Sequence, residues 1–288
     1  MVKRLENEAL EKYTTLKIGG TAEIMSIPDD IEGLLSEISF CKQKRIPYRI
    51  LGNGSNLLVS DKGVKGFVIK LNKACNKLNL RNANKIEVGS GVMLQKFINF
   101  SINNNLYGNE LLYSIPGTIG GAVFMNASIV GKENTVASIS DCLLSVKIFD
   151  GEQIKDIVKK ECNFNYRSSI FHKRDSWIIL SALFELPSQE KAIGRKKIKE
   201  RMKRVRQHQD RQYPSAGSIF RGNYSRITSF IMKGKRFGKA MYSKHNGNWI
   251  NNLGGAKFRD VLFLIKMAQV LNFLCSLKKA RLEIEIWR

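Results

Sequence analysis

The chain has 288 residues, 43% of them hydrophobic, which allows a sizeable core and excludes wholesale disorder. Its 48 Lys and Arg outnumber 25 Asp and Glu, and the net charge of +23 reads as compositional drift in a chain rich in Lys, Asn and Ile, with some attraction for anionic ligands. No apolar run approaches the roughly 20 residues that span a bilayer, and Met1 to Glu6 is not an apolar leader, so the expectation is a cytoplasmic protein with no membrane partner.

Tyr13 to Gly20 alternates apolar and polar residues and ends in a Gly pair. Ala22 to Pro28 reads as a strand. Asp29-Asp30 can cap a helix whose apolar positions are Ile31, Leu34, Leu35 and Ile38. Tyr48 to Leu51 is a strand, Gly52 to Asn56 a loop, and Leu57 to Val59 extended again. Gly66 to Leu71 and Lys85 to Val88 are further strands. Met93 to Asn105 has helical spacing in Leu94, Phe97, Ile98 and Ile102. Cys142 to Phe149, the turn Asp150-Gly151 and Gln153 to Ile157 form a hairpin. Trp177 to Leu186 alternates as a strand and closes the first half.

Ser188 to Gln212 is a long, basic, polar helix, a connector between halves. Lys239 to Ile250 is extended, Lys257 to Leu274 an amphipathic helix, and Leu282 to Trp287 a final strand. In that strand Leu282, Ile284 and Ile286 face one way, Glu283 and Glu285 the other. Strands and helices mix without regular βαβ alternation, so the fold class is α+β. Gly52-Asn53-Gly54 lacks the third glycine and the following helix of a dinucleotide-binding turn.

Two loops carry the chemistry. Gly52 to Asn56 and Pro116 to Gly121 both follow apolar segments. Their backbone N–H groups can form concavities for a pyrophosphate, or the second can be a buried turn between packed elements. Ser55, Asn56, Thr118 and Asn126 add side-chain donors. Arg167 lies among aromatics in Phe164 to Phe171 and suits a carboxylate clamp, or a surface Arg covering rings. Ser218 follows Gly217 at a turn, as a cleft-facing hydroxyl or a cap. Glu285, if it faces inward, needs a partner or a raised pKa. His172, His208 and His245 stand far apart, and Cys41, Cys75, Cys142, Cys162 and Cys275 are scattered, so no metal site is expected.

These segments together resemble the UDP-N-acetylenolpyruvoylglucosamine reductase (MurB) family. The resemblance rests on Leu51 to Leu58, Ile115 to Ala122 with Met125-Asn126-Ala127, Tyr166 to Phe171 and Pro214 to Phe220. Tyr13 to Gly20 and Leu282 to Ile286 match as well, in the same order. It implies a flavoenzyme of peptidoglycan precursor synthesis. An FAD-binding domain of the vanillyl-alcohol-oxidase (PCMH) type, in two subdomains, would occupy residues 1–187, with the basic connector at 188–212 and a smaller α+β substrate domain at 213–288. FAD would be held by Gly52, Asn53, Gly54, Ser55, Asn56, Leu57, Pro116, Gly117, Thr118, Gly120, Gly121 and Asn126. NADPH would reduce the flavin, which passes hydride to the terminal vinyl carbon of the UDP-sugar enolpyruvyl ether. Arg167 and Glu285 would stabilise the intermediate, with Glu285 paired to Arg167 or raised in pKa, and Ser218 would donate the proton.

The match departs in places. Asn246 to Trp249 stands where a His-Ala-Asn-Phe type run is common, and no aromatic lid insertion is visible, as in the shorter subtype. A monomer is expected. The alternatives are another FAD-dependent oxidoreductase of the same fold, acting on a sugar or alcohol, and a basic nucleic-acid-binding protein. The second would use Arg195 to Arg211, the one dense basic run, which contains no aromatic platform.

Overall fold

A computed structural model describes residues 1–131, 135–210 and 212–288. Arg211, and the side chain of His208, lie outside the described residues. The first sheet has the spatial order Val2–Ala9, Thr21–Pro28, Val64–Lys70, Tyr48–Leu51. Its first pair is antiparallel and the others parallel. Parallel pairing requires a crossover, and helix α1 (Ile31–Gln43) supplies it. Asp30 caps α1 by accepting from Gly33 N at 2.7 Å, as the sequence suggests. Leu34, Ile38 and Cys41 recur at helical spacing and pack on Phe67 and Ile69 of the sheet. Arg45, at φ 55°, turns the chain out of the helix ahead of Pro47.

The second sheet is wholly antiparallel, in the order Ile154–Val158, Leu143–Phe149, Ile178–Glu185, Lys85–Gly89, Leu78–Asn82. Helix α2 (Leu94–Asn103) and the short helix α3 (Ile119–Phe124) bury Phe97, Ile98, Ile119 and Val123 in its core. The basic helix α4 (Lys191–His208) is more than a tether. Gly194 lets it approach Ile102 of α2, Ile198 packs on the same core, and Arg201 Nε donates to Ser114 Oγ at 3.0 Å.

The third sheet runs Ser215–Ser218, Trp249–Asn252, Ala240–Tyr242, Arg236–Phe237, all antiparallel. Helices α5 (Arg226–Met232) and α6 (Phe258–Ser276) accompany it, with Met232, Val261, Leu264, Ile265 and Ala268 in its core. Leu16, Ile18 and Leu58, from the first part of the chain, complete that core.

Four differences from the sequence reading have physical causes. Val2–Ala9 and Leu78–Asn82 are edge strands with few buried side chains, so neither shows a strong apolar pattern. Lys239 to Ile250 is two strands parted by a turn, in which Ser243 Oγ accepts from the backbone N of His245 and Asn246. Leu282 to Trp287 also divides. Arg281–Leu282 pairs with Phe220–Arg221, and Glu285–Trp287 pairs in parallel with Leu57–Val59 of the first half. The C-terminus is thereby stitched back beside the Gly52 loop. Finally, the glycine-rich stretch after Thr118 is helical rather than an open loop.

Candidate functional site

A cleft of about 1130 Å³ lies where the three sheets meet. Residues Gly52 to Leu57 form part of one wall. Gly54 takes φ 60°, and a Cβ there would stand 2.1 Å from the Tyr13 carbonyl oxygen, so only glycine fits. Asn53 Nδ2 donates to the Pro116 carbonyl at 2.5 Å, joining the two loops. Asn56 Nδ2 donates to the Glu283 carbonyl at 2.8 Å, and Glu285 N donates to the Asn56 carbonyl at 2.9 Å. The loop therefore fixes the C-terminal strand at the cleft.

Pro116, Gly117, Thr118, Gly120 and Gly121 line the same cleft. Thr118 Oγ1 caps α3 by accepting from Gly121 N at 3.4 Å. The two helical glycines have different reasons to be there. A Cβ on Gly120 would meet Ser90 Cβ at 2.9 Å, so this glycine permits close packing. A Cβ on Gly121 would meet only Thr118 Oγ1, at 3.6 Å, and points to open space. Asn126 departs from the sequence reading. It does not line the cleft, and its Nδ2 donates to the Asn165 carbonyl at 3.0 Å. At φ 42° its backbone closes the turn after α3, and its side chain braces the loop that carries Arg167.

Arg167, Ser218 and Glu285 all reach the cleft. Arg167 takes φ 51° and donates from Nη1 to Ser128 Oγ at 3.2 Å. Its Nε lies 2.8 Å from Glu283 Oε1, and both side chains are largely buried. The pairing expected for Glu285 is thus made by Glu283. Glu283 and Glu285 both face the cleft, while Ile284, at the bend between the two short strands, is buried. Burial pushes the Glu283 carboxyl up, opposed by the Arg167 and Arg221 guanidinium groups. Arg221 also donates to the Arg167 carbonyl, holding the strained residue in place. Desolvation by the cleft walls likewise raises the Glu285 carboxyl, opposed by Trp287 and Arg49, although the residue is exposed to the cleft.

Ser218 ends a strand that bulges at Gly217, which has φ 75° and no atom within 4 Å of where a Cβ would stand. Its cross-strand neighbour is Trp249, whose Nε1 donates to Ser218 Oγ at 3.3 Å. In the sequence Trp249 stands out only as a departure from the common run, and its contact with Ser218 cannot be foreseen because the two are 31 residues apart. Nor does the sequence single out Glu283 as a partner or His172 as a cleft residue. His172 lines the cleft, packs at a tilt against Phe124 with ring centroids 4.1 Å apart, and accepts from Ser169 N through Nδ1. Burial, then Arg221, lowers its pKa.

The loop wall suits a bound pyrophosphate. Neither loop contains a carboxylate, Ser55 and Thr118 line the cleft with hydroxyls, and the absence of a side chain at Gly117 and Gly121 leaves space beside the wall. Thr15 Oγ1, at the edge of the cleft, is buried without a hydrogen-bond partner among the described residues, the mark of a donor awaiting a ligand.

Residues 22–153 match the profile of an FAD binding domain, and residues 207–272 that of the UDP-N-acetylenolpyruvoylglucosamine reductase C-terminal domain. The UDP-N-acetylenolpyruvoylglucosamine reductase of Bacillus pumilus is 36% identical over 273 residues, 93% of this chain and 88% of that one. That of Carboxydothermus hydrogenoformans is 36% identical over 288 residues, 98% and 93% of the two chains. The crystal structure of the enzyme from Thermus caldophilus superposes with a TM-score of 0.80 at 31% identity, covering 100% of this chain and 99% of that one. The FAD-binding architecture, the C-terminal domain and the full-length similarity agree: the chain belongs to the UDP-N-acetylenolpyruvoylglucosamine reductase (MurB) family of FAD-dependent oxidoreductases.

Proposed function

We propose that this chain reduces the enolpyruvyl ether of UDP-N-acetylenolpyruvoylglucosamine to UDP-N-acetylmuramate, with NADPH as reductant. The observation that carries the reading is the convergence of Arg167, Ser218 and Glu285 on the cleft whose wall is formed by the two glycine loops. Residues 52–57 and 116–121 would hold FAD, which when bound supplies the hydride carrier between NADPH and the vinyl ether. Addition of hydride at the terminal vinyl carbon sends an electron pair toward the α-carbon and its carboxylate. The Arg167 cation, set at the cleft by Glu283 and Ser128, offsets that charge where it develops. Desolvation raises the Glu285 carboxyl, which favours its protonated form, and in that form it would donate to the same carboxylate. Ser218 would then deliver its proton to the α-carbon. The Trp249 indole N–H, donated to Ser218 Oγ, leaves the serine's own proton directed away from the ring and favours the oxygen as it becomes negative.

The reading carries with it an FAD domain over 1–187, a connector over 188–212 and a substrate domain over 213–288. The final strand, Glu285–Trp287, returns to the first of these. It also carries a monomer working in the cytoplasm. Replacement of Ser218 by Ala tests the mechanism: flavin reduction by NADPH should persist and flavin reoxidation by the UDP-sugar should be lost. Slowed reduction with normal reoxidation would remove Ser218 from the role.

A further inference from the structure

Helix α6 is apolar on two opposite faces. Val261, Leu264, Ile265 and Ala268 are buried in the third core. On the other side Phe263, Val270, Phe273, Leu274 and Leu277 recur at helical spacing along one stripe, with Leu274 71% and Leu277 79% exposed. A helix apolar all round is normally covered on all sides. Phe237, on the neighbouring hairpin, stacks on Phe263 at 4.0 Å and widens the stripe. On α5, Phe230 is 75% exposed. None of these residues lines the catalytic cleft.

The charge around this face decides what covers it. From Arg221 to Leu282 the sequence has thirteen Lys and Arg against one acidic residue, Asp260, so this segment holds an excess of twelve of the chain's +23. Asp260 is itself buried. Arg259 and Lys266 stand on the stripe, Arg236 and Lys239 flank Phe237, and Lys278 and Lys279 follow its end, all exposed. A second copy of the chain would bring the same excess of positive charge against this one. Nucleic acid would meet a largely aliphatic and phenyl surface that offers its bases few hydrogen-bonding groups. The stripe is a convex helix side, not a groove, so it demands no shape complementarity from what it meets. An apolar helical stripe carrying long cationic side chains within it and at its margins is the pattern of an interfacial helix on an anionic bilayer.

We propose that the α6 face, with Phe237, docks this protein peripherally on an anionic lipid surface, with the stripe entering the headgroup boundary and the flanking Lys and Arg meeting lipid phosphates. No helix among the described residues is long and apolar enough to cross a membrane, so the contact is one of surface. It leaves the cleft open to soluble ligands, and it stands independently of the catalytic proposal.

Sedimentation with vesicles tests it. The full chain should sediment with phosphatidylcholine vesicles containing phosphatidylglycerol and stay in solution with phosphatidylcholine alone. The triple variant Phe273→Ser, Leu274→Ser, Leu277→Ser should weaken binding about tenfold or more, with unchanged circular dichroism and unchanged reductase turnover. Raised salt should weaken what remains. Equal binding to both vesicle types would overturn the proposal. So would full binding by the triple variant, which would mean charge adsorption elsewhere, such as α4. Failure to bind either vesicle, together with a concentration-dependent dimer that the triple variant abolishes, would assign the face to a second copy instead. An acidic protein that binds the face while anionic vesicles do not would equally overturn it.

Discussion

Trp249→Phe separates the proton-transfer step from the rest of the site. The substitution keeps an aromatic ring at the cleft rim and removes the indole N–H that reaches Ser218 Oγ at 3.3 Å. That distance is just beyond the usual N–H···O range, so the bond belongs in the lower half of the about 0.5–1.5 kcal/mol typical of a net hydrogen bond. Lost only in the step where Ser218 becomes an oxyanion, about 0.5–1 kcal/mol slows that step roughly two- to fivefold. Trp249 already borders the cleft, so water can fill the volume that its second ring vacates. The assay is anaerobic stopped flow, following the flavin absorbance in each half-reaction. Reduction by NADPH should be unchanged. Reoxidation by the UDP-sugar should slow by the stated factor, with a larger solvent isotope effect because proton delivery becomes more rate-limiting. Equal slowing of both half-reactions would mean that Trp249 only shapes the cleft, and unchanged reoxidation would mean that the indole does nothing for Ser218.

Three further outcomes follow from particular contacts. Gly121→Leu should fold normally and purify with little flavin, because its side chain enters the cleft, whereas Gly120→Ala should lower the melting temperature through the Ser90 clash; full flavin occupancy in Gly121→Leu would remove that wall from the cofactor site. For Glu285 the folded pKa is raised, so its contribution to stability is present at low pH and is lost as pH rises from about 4.3 through the raised value; Glu285→Gln should flatten that part of a melting-temperature profile, and an unaltered profile would contradict the shift. Arg4→Ala leaves the buried Glu37 carboxylate with only its Ser26 hydrogen bond and should cost about 1–3 kcal/mol in denaturant unfolding; no loss would mean that Glu37 is neutral in the folded state.

The frame of the site is visible in the sequence because that frame is local. The capped start of α1 is set by residues a few positions apart, and the glycine loops appear as loops or tight helical starts near where their residues place them, although the Tyr13 carbonyl that excludes a side chain at Gly54 comes from far earlier in the chain. What stays hidden is carried by pairings across long separations. Arg167 meets Glu283 rather than Glu285 because Asn56, 227 residues earlier, fixes the register of the C-terminal strand by holding the Glu283 carbonyl. Asn126 reads as a ligand donor in its motif, and only the position of the Asn165 carbonyl shows it bracing a loop. The exposed stripe of α6 is invisible for another reason. Apolar residues at helical spacing look alike on a buried face and on a bare one until the sheet beneath the helix is placed.

The proposed reaction couples NADPH to reduction of the UDP-sugar vinyl ether in the cleft. Its most direct measurement is an anaerobic single turnover: the flavoprotein is reduced with one equivalent of NADPH and mixed with UDP-N-acetylenolpyruvoylglucosamine. The oxidised-flavin absorbance should return in proportion to substrate, and the product should be heavier than the substrate by two hydrogen atoms. A flavin that stays reduced in the presence of substrate would contradict it.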